Sequence, residues 1–289
     1  MTETQLEYFT RIVELGSFSE AALELDISQS SISKQIMQLE DELQVALFDR
    51  SFRKARLSDA GEMLYQDALD ILKDIKKMKD NAHAMSASGK KKISILALPV
   101  IGHYNFYIPI SLFESEHSDL EIELIEIEEP EMYRKMERGD YDAMITYFNP
   151  KQSVKNGKFF PLADDEMVLV CSKNDPLSQK DHITPGDLDG VKILAMQKYT
   201  CISQLYDLYF QKHNTNPKTT FRARPETIMV GAEAGRAPAL LTRIHTQTQR
   251  MSGCNLIPFS PSLKGILGII VNQHSQNKEI LEELVKILA

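Results

Sequence analysis

Apolar positions recur at helical spacing through roughly the first third of the chain, then give way to short apolar runs set between helical stretches. Leu6, Phe9, Ile12 and Val13 share one face of a predicted helix from Thr4 to Leu15, and Gly16 stands where helices end. Ser17 and Glu20 have the spacing of a capping box, which starts a second helix through Ala21, Ala22, Leu23 and Leu25. Asp26 and Ile27 make a short turn. Ser28 is an N-cap for a third helix running to Leu43, with Ile32, Ile36 and Leu39 as its buried stripe.

Further on, Leu64, Ala68, Ile71, Ile75, Met78, Ala82 and Met85 alternate spacings of four and three. That is the seam of a coiled coil between two chains, although a long helix lying on one domain would show a similar face. Ser86 to Lys92 is polar and reads as a hinge. Beyond it, strands alternate with helices. Ile93 to Leu98, Leu120 to Ile127 and Tyr141 to Tyr147 are strand candidates, with helices through about Glu116 and over Glu131 to Arg138. A second set follows: strands at Met167 to Cys171, Ile193 to Met196, Phe221 to Ala223, Ala239 to Leu241 and Gly268 to Val271. Helices are expected over Ile202 to His213, Glu226 to Glu233 and, capped by Asn277, Lys278 to Leu288. Such alternation predicts a mainly parallel sheet with a ligand crevice at the strands' carboxyl ends.

Length and composition narrow the class. With 289 residues and 43% hydrophobic content, the chain holds about two ordinary domains. It has neither an apolar signal core nor a run of about 18 apolar residues, so a cytoplasmic protein without membrane contact is expected. Cys171, Cys201 and Cys254 are odd in number and lack metal-ligand spacing, which predicts no zinc site and no disulfide framework. No GxSxG, HExxH or phosphate-loop pattern occurs, and the histidines are scattered, so neither enzymatic activity nor a cofactor is expected.

The net charge of -8 argues against indiscriminate nucleic-acid binding, and charge must be read locally. Residues 1 to 60 carry six basic side chains against eleven acidic ones, yet Arg50, Arg53, Lys54 and Arg56 lie beside one another. Two helices joined by a short turn, the second opening with Ser28, Gln29, Ser30, Ser31, Ser33 and Lys34, form the pattern that inserts a helix into the major groove. The four adjacent cations would then lie on phosphates from a β-wing. A plain helical hairpin beside a solvated charge run is the alternative.

The run FxxIVExGSFSEAALELxISQSSISKQIxQLEDEL, followed by LFDRSFRKARLSDAG, resembles the winged helix-turn-helix of LysR-type transcriptional regulators. The resemblance implies that Gln29, Ser31, Ser33 and Lys34 face the groove, and that Arg50, Arg53 and Arg56 meet the backbone or minor groove. It also implies that the heptad helix pairs two chains, giving a homodimer or homotetramer. Three departures stand out: the family usually has proline at Ser30, arginine at Lys34, and a Leu-Gly turn near Gln44 and Val45. Lysine cannot make the planar two-point contact of arginine with guanine.

From residue 93 onward, MERGDYDAMI, PLxxDEMVLV and DPL resemble the LysR-type effector domain. That resemblance implies two α/β subdomains, like those of periplasmic solute-binding proteins, with a small-molecule effector between them. The expected domains are a winged helix-turn-helix over 1–58, a linker helix over 59–92 and an effector domain over 93–289. Its subdomain I covers about 93–161 and 266–289, and subdomain II about 162–265. Effector positions carried over are Pro99, Val100, Ile101 and Gly102, Thr146 and Tyr147, and Thr200, Cys201, Ile202 and Ser203 at a helix start that would suit a carboxylate. The apolar turn after the first strand implies a more hydrophobic effector, or none. A ligand-responsive regulator binding double-stranded DNA is thus one reading; a solute-binding or enzymatic α/β protein dimerised by its N-terminal helices is the other. Cys201 is read as a buried or idle thiol rather than a sensor.

Overall fold

Thr2 opens the first helix by accepting the Gln5 amide at 3.2 Å while the Gln5 side chain accepts the Thr2 amide at 2.9 Å. In this computed structural model, which describes residues 1–49, 54–84, 90–247 and 252–289, α1 spans Glu3–Leu15 and ends on Gly16 in the left-handed region. The Ser17 half of the expected capping box forms, its hydroxyl accepting the Glu20 amide at 3.3 Å, and α2 runs Phe18–Glu24. Ser28 caps α3, Gln29–Leu43, as its spacing predicts. Ile32, Ile36 and Leu39 are buried with Leu6, Phe9, Ile12, Ala21 and Ala22.

At the end of α3 the chain does without the family's glycine: Gln44 itself takes φ 56° and ψ 28°. A bridge between Phe48 and Leu57, with the Asp49 amide donating to the Arg56 carbonyl at 2.8 Å, forms the base of the wing. Glu40, buried in the last turn of α3, accepts the amides of Leu47 at 2.7 Å and Phe48 at 3.2 Å, fixing the wing to the helix.

Helix α4 spans Asp59–Ala84. Its start presses on the wing so closely that a Cβ on Gly61 would come within 2.1 Å of the Leu47 carbonyl oxygen. Ala68 is buried, and Leu64, Tyr65 and Leu72 pack on the core of their own unit. The predicted seam is therefore divided. Leu64 and Ala68, expected to meet a partner chain, close the core of this one. Ile75 is half-buried, while Ile71, Met78 and Ala82 are exposed. Met85 and the first part of the expected hinge, 86–89, lie outside the described residues.

Contacts divide the chain into units Met1–Gly89 and Lys90–Ala289. In the second, β1 (Lys91–Ala97) lies between β2 (Leu120–Glu126) and β3 (Ala143–Tyr147), all parallel, with helices α5 (Tyr107–Glu116) and α6 (Glu129–Glu137) as crossovers. The expected strand at Met167 is part of one longer strand, β4, of 16 residues from Gly157 to Ser172. Up to Glu166 it pairs antiparallel with β9 (Lys264–Asn272); from Met167 it pairs with β7 (Ala239–Thr242) and β8 (Cys254–Pro258). Strand β5 (Lys192–Ala195) is parallel to β6 (Lys218–Arg222) and β7, and α7 (Cys201–Lys212) and α8 (Pro225–Glu233) complete that lobe.

The sheet order is β2-β1-β3-β9-β4-β7-β5-β6, two parallel lobes joined by an antiparallel pair. Met167, Leu169 and Cys171 face one core cluster while Val168 and Val170 face another, so the apolar run of β4 is buried on both sides. Helix α9, Lys278–Leu288, packs on the first lobe. Asn277 does not cap it by its side chain; the Asn277 Nδ2 donates instead to the Lys92 carbonyl at 2.9 Å, tying the helix to β1. This is the expected fold: a helix-turn-helix unit followed by a two-lobed α/β domain like that of periplasmic binding proteins.

Candidate functional site

Two features of the first unit bear on DNA. The N-terminus of α3 is exposed at Ser28, Gln29, Ser30, Ser31 and Lys34, with Ser33 half-buried. Ser28 Oγ sits 2.9 Å from Ser30 Oγ and 2.8 Å from Ser31 Oγ, so three hydroxyls share one small cluster that also caps the helix. Lys54 and Arg56 are exposed on the wing side, whereas the predicted contacts Arg50 and Arg53 lie outside the described residues.

The second feature is a cavity of about 180 Å³ between the lobes of the α/β domain. Leu98, Pro99, Val100, His103, Glu128, Glu129 and Tyr147 line it from the first lobe; Met196, Gln197, Tyr199, Thr200, Ile202, Arg224, Glu226 and His245 line it from the second. Of the ten effector positions expected from sequence, Pro99, Val100, Tyr147, Thr200 and Ile202 reach this cavity. Ile101, Thr146 and Cys201 are buried away from it, and Gly102 is exposed outside it. Ser203 faces a different cavity, about 230 Å³, within the second lobe between α7, β5 and β6, where Arg222 Nη1 donates to its hydroxyl at 2.7 Å. That cavity sits inside one lobe, and its guanidinium is already held by Ser203 and the Met196 carbonyl.

Two of the amides in the expected carboxylate seat at the start of α7 are taken from within. The Cys201 amide donates to Glu129 Oε2, and the Ser203 amide to Thr200 Oγ1 at 3.3 Å. Glu129 opens α6 of the first lobe and is 3% exposed. Burial raises its carboxyl to about 8; the Cys201 amide pulls it down and Glu128 pushes it up. Glu128 accepts from Arg224 Nη2 at 3.1 Å and from the Tyr199 hydroxyl at 3.4 Å, both across the cleft. Deeper in, Asp165 on β4 gathers both lobes: its Oδ2 accepts the hydroxyls of Tyr104 at 2.7 Å and Tyr147 at 2.9 Å, and its Oδ1 the Ile244 amide at 3.2 Å. Burial holds the His245 imidazole down at about 4, so it faces the cavity neutral.

Cys201 is a joint between lobes as well, its thiol donating to the Phe148 carbonyl at 3.4 Å. Burial, then Glu129, pushes that thiol far above its ordinary range. Cys171 and Cys254 are free and lie on neighbouring strands, but in different core clusters on opposite faces of β4 and β8. Sequence reasoning missed His103, Glu128, Glu129, Tyr199, Arg224, Glu226 and His245. Only the placement of Glu128 at the carboxyl end of β2 was available in advance.

Among the described residues no helix is long and apolar enough to cross a membrane, and no group of three histidines, cysteines or carboxylates could hold a metal. The family model described as "Bacterial regulatory helix-turn-helix protein, lysR family" matches residues 4–62, and "LysR substrate binding domain" matches residues 86–289. A "Hydrogen peroxide-inducible genes activator" of Dickeya chrysanthemi is 27% identical, over 98% of this chain and 93% of its own length. A "Probable RuBisCO transcriptional regulator" of Cyanidioschyzon merolae is 30% identical, over 71% of this chain and 68% of its own. Among solved structures, full-length BenM matches with a TM-score of 0.61 at 24% identity, covering 100% of this chain and 95% of its own. An OxyR mutant of Corynebacterium glutamicum matches with 0.61 at 23% identity, covering 99% and 90%.

Proposed function

The chain belongs to the LysR family of bacterial regulators, matched across both of its units, and from that premise we propose how its residues divide the work. As a family member it is a DNA-binding regulator with a helix-turn-helix unit and an effector-binding domain. In our reading Ser28, Gln29, Ser30, Ser31, Ser33 and Lys34 read base edges in the major groove of double-stranded DNA, and Arg50, Arg53, Lys54 and Arg56 neutralise phosphates. The exposed hydroxyl cluster at the start of α3 supports this reading most directly. Ile71, Ile75, Met78 and Ala82 form the pairing face of α4 in a homodimer or tetramer. The protein works in the cytoplasm, without catalysis and without a cofactor.

The effector binds in the cavity between the lobes, and binding alters the angle between them, which changes the spacing of paired readers and the DNA bend. What supports this site is that hydrogen bonds cross between the lobes at its walls, to Glu128 from Arg224 and Tyr199 and to Glu129 from the Cys201 amide. Retardation of the DNA upstream of the protein's own coding region tests the output. Sequence-selective binding with a steep salt dependence is expected, and Lys34→Ala should weaken the preferred site by about 1–3 kcal/mol. Absence of selective binding at low salt would sink it. A thermal-shift screen of small metabolites tests the cleft.

The name of the Dickeya relative suggests a second reading, response to hydrogen peroxide. Cys201 is the thiol nearest the cleft, but peroxide attack needs a thiolate, and this thiol is buried, bonded to a carbonyl and held protonated. A small-molecule effector is the better account.

A further inference from the structure

Beyond the cleft between the lobes, we propose that the second lobe holds a separate site for a small apolar α-amino acid, in the cavity of about 230 Å³ between α7, β5 and β6. Two opposite charges line it, Arg222 from β6 and Asp207 from α7, with no other acidic or basic side chain beside them. They do not pair with each other. Arg222 bonds only to neutral oxygens, and Asp207 has no hydrogen bond or ion pair among the described residues. Both Nη1 protons of Arg222 are used, on the Met196 carbonyl and the Ser203 hydroxyl at 2.7 Å each, while Nη2 reaches Thr219 Oγ1 at 3.5 Å. Those bonds fix the guanidinium plane and leave its Nε proton and the second Nη2 proton free to donate.

Ser203, Asp207 and Gln211 follow one another at four-residue spacing, so they share one side of α7 with successive Cβ atoms about 5–6 Å apart. Asp207 thus stands one turn beyond the hydroxyl that holds Arg222. Asp207 and Gln211 are exposed at the mouth, and Ile193, Ile202, Phe210 and Leu240 are buried behind them. A ligand that satisfies both charges puts a carboxylate on the guanidinium, an ammonium on Asp207 and an apolar side chain against that floor. A carboxylate alone would meet the like charge of Asp207, and an amine alone that of Arg222. The volume lies below the roughly 300–1,000 Å³ of drug-sized sites, which suits a single amino acid. Met196 and Ile202 line this cavity and the interlobe cavity alike, so the two share a wall.

Three matched probes test this on the full-length protein by calorimetry at neutral pH: leucine, isocaproate, which lacks the ammonium, and isoamylamine, which lacks the carboxylate. Leucine should bind saturably, and the other two about tenfold more weakly or worse. Asp207→Asn breaks no bond of the folded chain. It should weaken leucine about tenfold and bring isocaproate close to it, a change of preference that a structural role would not produce. Arg222→Lys keeps the charge but loses the two-point contact, and should weaken leucine and isocaproate together. Arg224→Gln, in the interlobe cleft, should leave leucine affinity where it was. Isocaproate or isoamylamine binding as tightly as leucine, leucine binding indifferent to Asp207→Asn, loss of it in Arg224→Gln, or no saturable leucine binding at millimolar concentration would each overturn the site. None of these touches the interlobe reading, which stands or falls on the metabolite screen and on DNA retardation.

Discussion

Replacing Glu129 by glutamine should flatten the fall in stability of the α/β domain at mildly alkaline pH. In the folded chain burial lifts this carboxyl from its ordinary 4.5 to about 8. Unfolded, it loses its proton near 4.5. Between these values the folded state holds one proton more than the unfolded state, so stability falls as pH rises, by about 1.4 kcal/mol per pH unit, and the loss is complete above about 8. The whole span corresponds to about 5 kcal/mol, a ceiling that relaxation around the ionised carboxyl would reduce. His245 acts in the opposite direction lower down. Its imidazole is held at about 4 against an ordinary 6.5, so stability falls as pH drops from 6.5 toward 4.

The two slopes cancel between 4.5 and 6.5, and above 6.5 that of Glu129 stands alone. From pH 6.5 to 8 the wild type should lose about 2 kcal/mol relative to Glu129→Gln, equivalent to roughly 4–8 °C for a domain of this size. The other ionisable groups facing Glu129, namely Glu128, Arg224, Glu226, His103, His245, Tyr133 and Cys201, are common to both proteins and drop out of the difference. Urea unfolding followed across this range measures it. Parallel profiles for the two proteins would refute the argument that this carboxyl is kept protonated by its site.

Three further outcomes follow from particular bonds. Glu40→Ala strands the buried amides of Leu47 and Phe48, and should cost the N-terminal unit about 3 kcal/mol in urea unfolding while weakening DNA retardation, with Glu40→Gln recovering part of both. Gln44 holds a left-handed conformation at φ 56°, so Gln44→Gly should raise stability by about 1 kcal/mol and Gln44→Val lower it; the reverse order in thermal unfolding would contradict that backbone geometry. Hydrogen peroxide should leave Cys201 unmodified by peptide mass analysis of the native protein and DNA retardation unchanged; oxidation at Cys201 before unfolding would restore the peroxide reading.

How legible each part was depended on the sequence distance over which its determinants act. The N-terminal unit is built from contacts between neighbouring helices, and periodicity with caps at Ser17 and Ser28 placed its helices within a residue or two. Even there, the heptad pattern could not say whose core it fills. Leu64 and Ala68 carry the same spacing as Met78 and Ala82, yet the first pair sits beside Phe9 and Phe48 of its own chain and the second pair does not. In the α/β domain the strands buried on both faces were visible as apolar runs. The 16-residue length of β4 was not, because Pro161 interrupts the run within its pairing to β9 and the acidic Asp164 to Glu166 interrupt it just before the strand changes partners. Strand β8, five residues ending at Pro258, offered too short a pattern to read.

The cleft shows the same limit at its sharpest. From sequence, Thr200 to Ser203 is a helix start with free amides, and chemistry alone makes that a seat for an anion. What decides its use is a residue 72 positions earlier in the chain, whose carboxyl reaches it only because α6 of one lobe faces α7 of the other. A local motif gives the capacity of a site, and the fold decides who fills it. Here Glu129 takes the Cys201 amide, and that bond also joins the two lobes. Anything that displaces Glu129 from Cys201 therefore removes a link across the cleft.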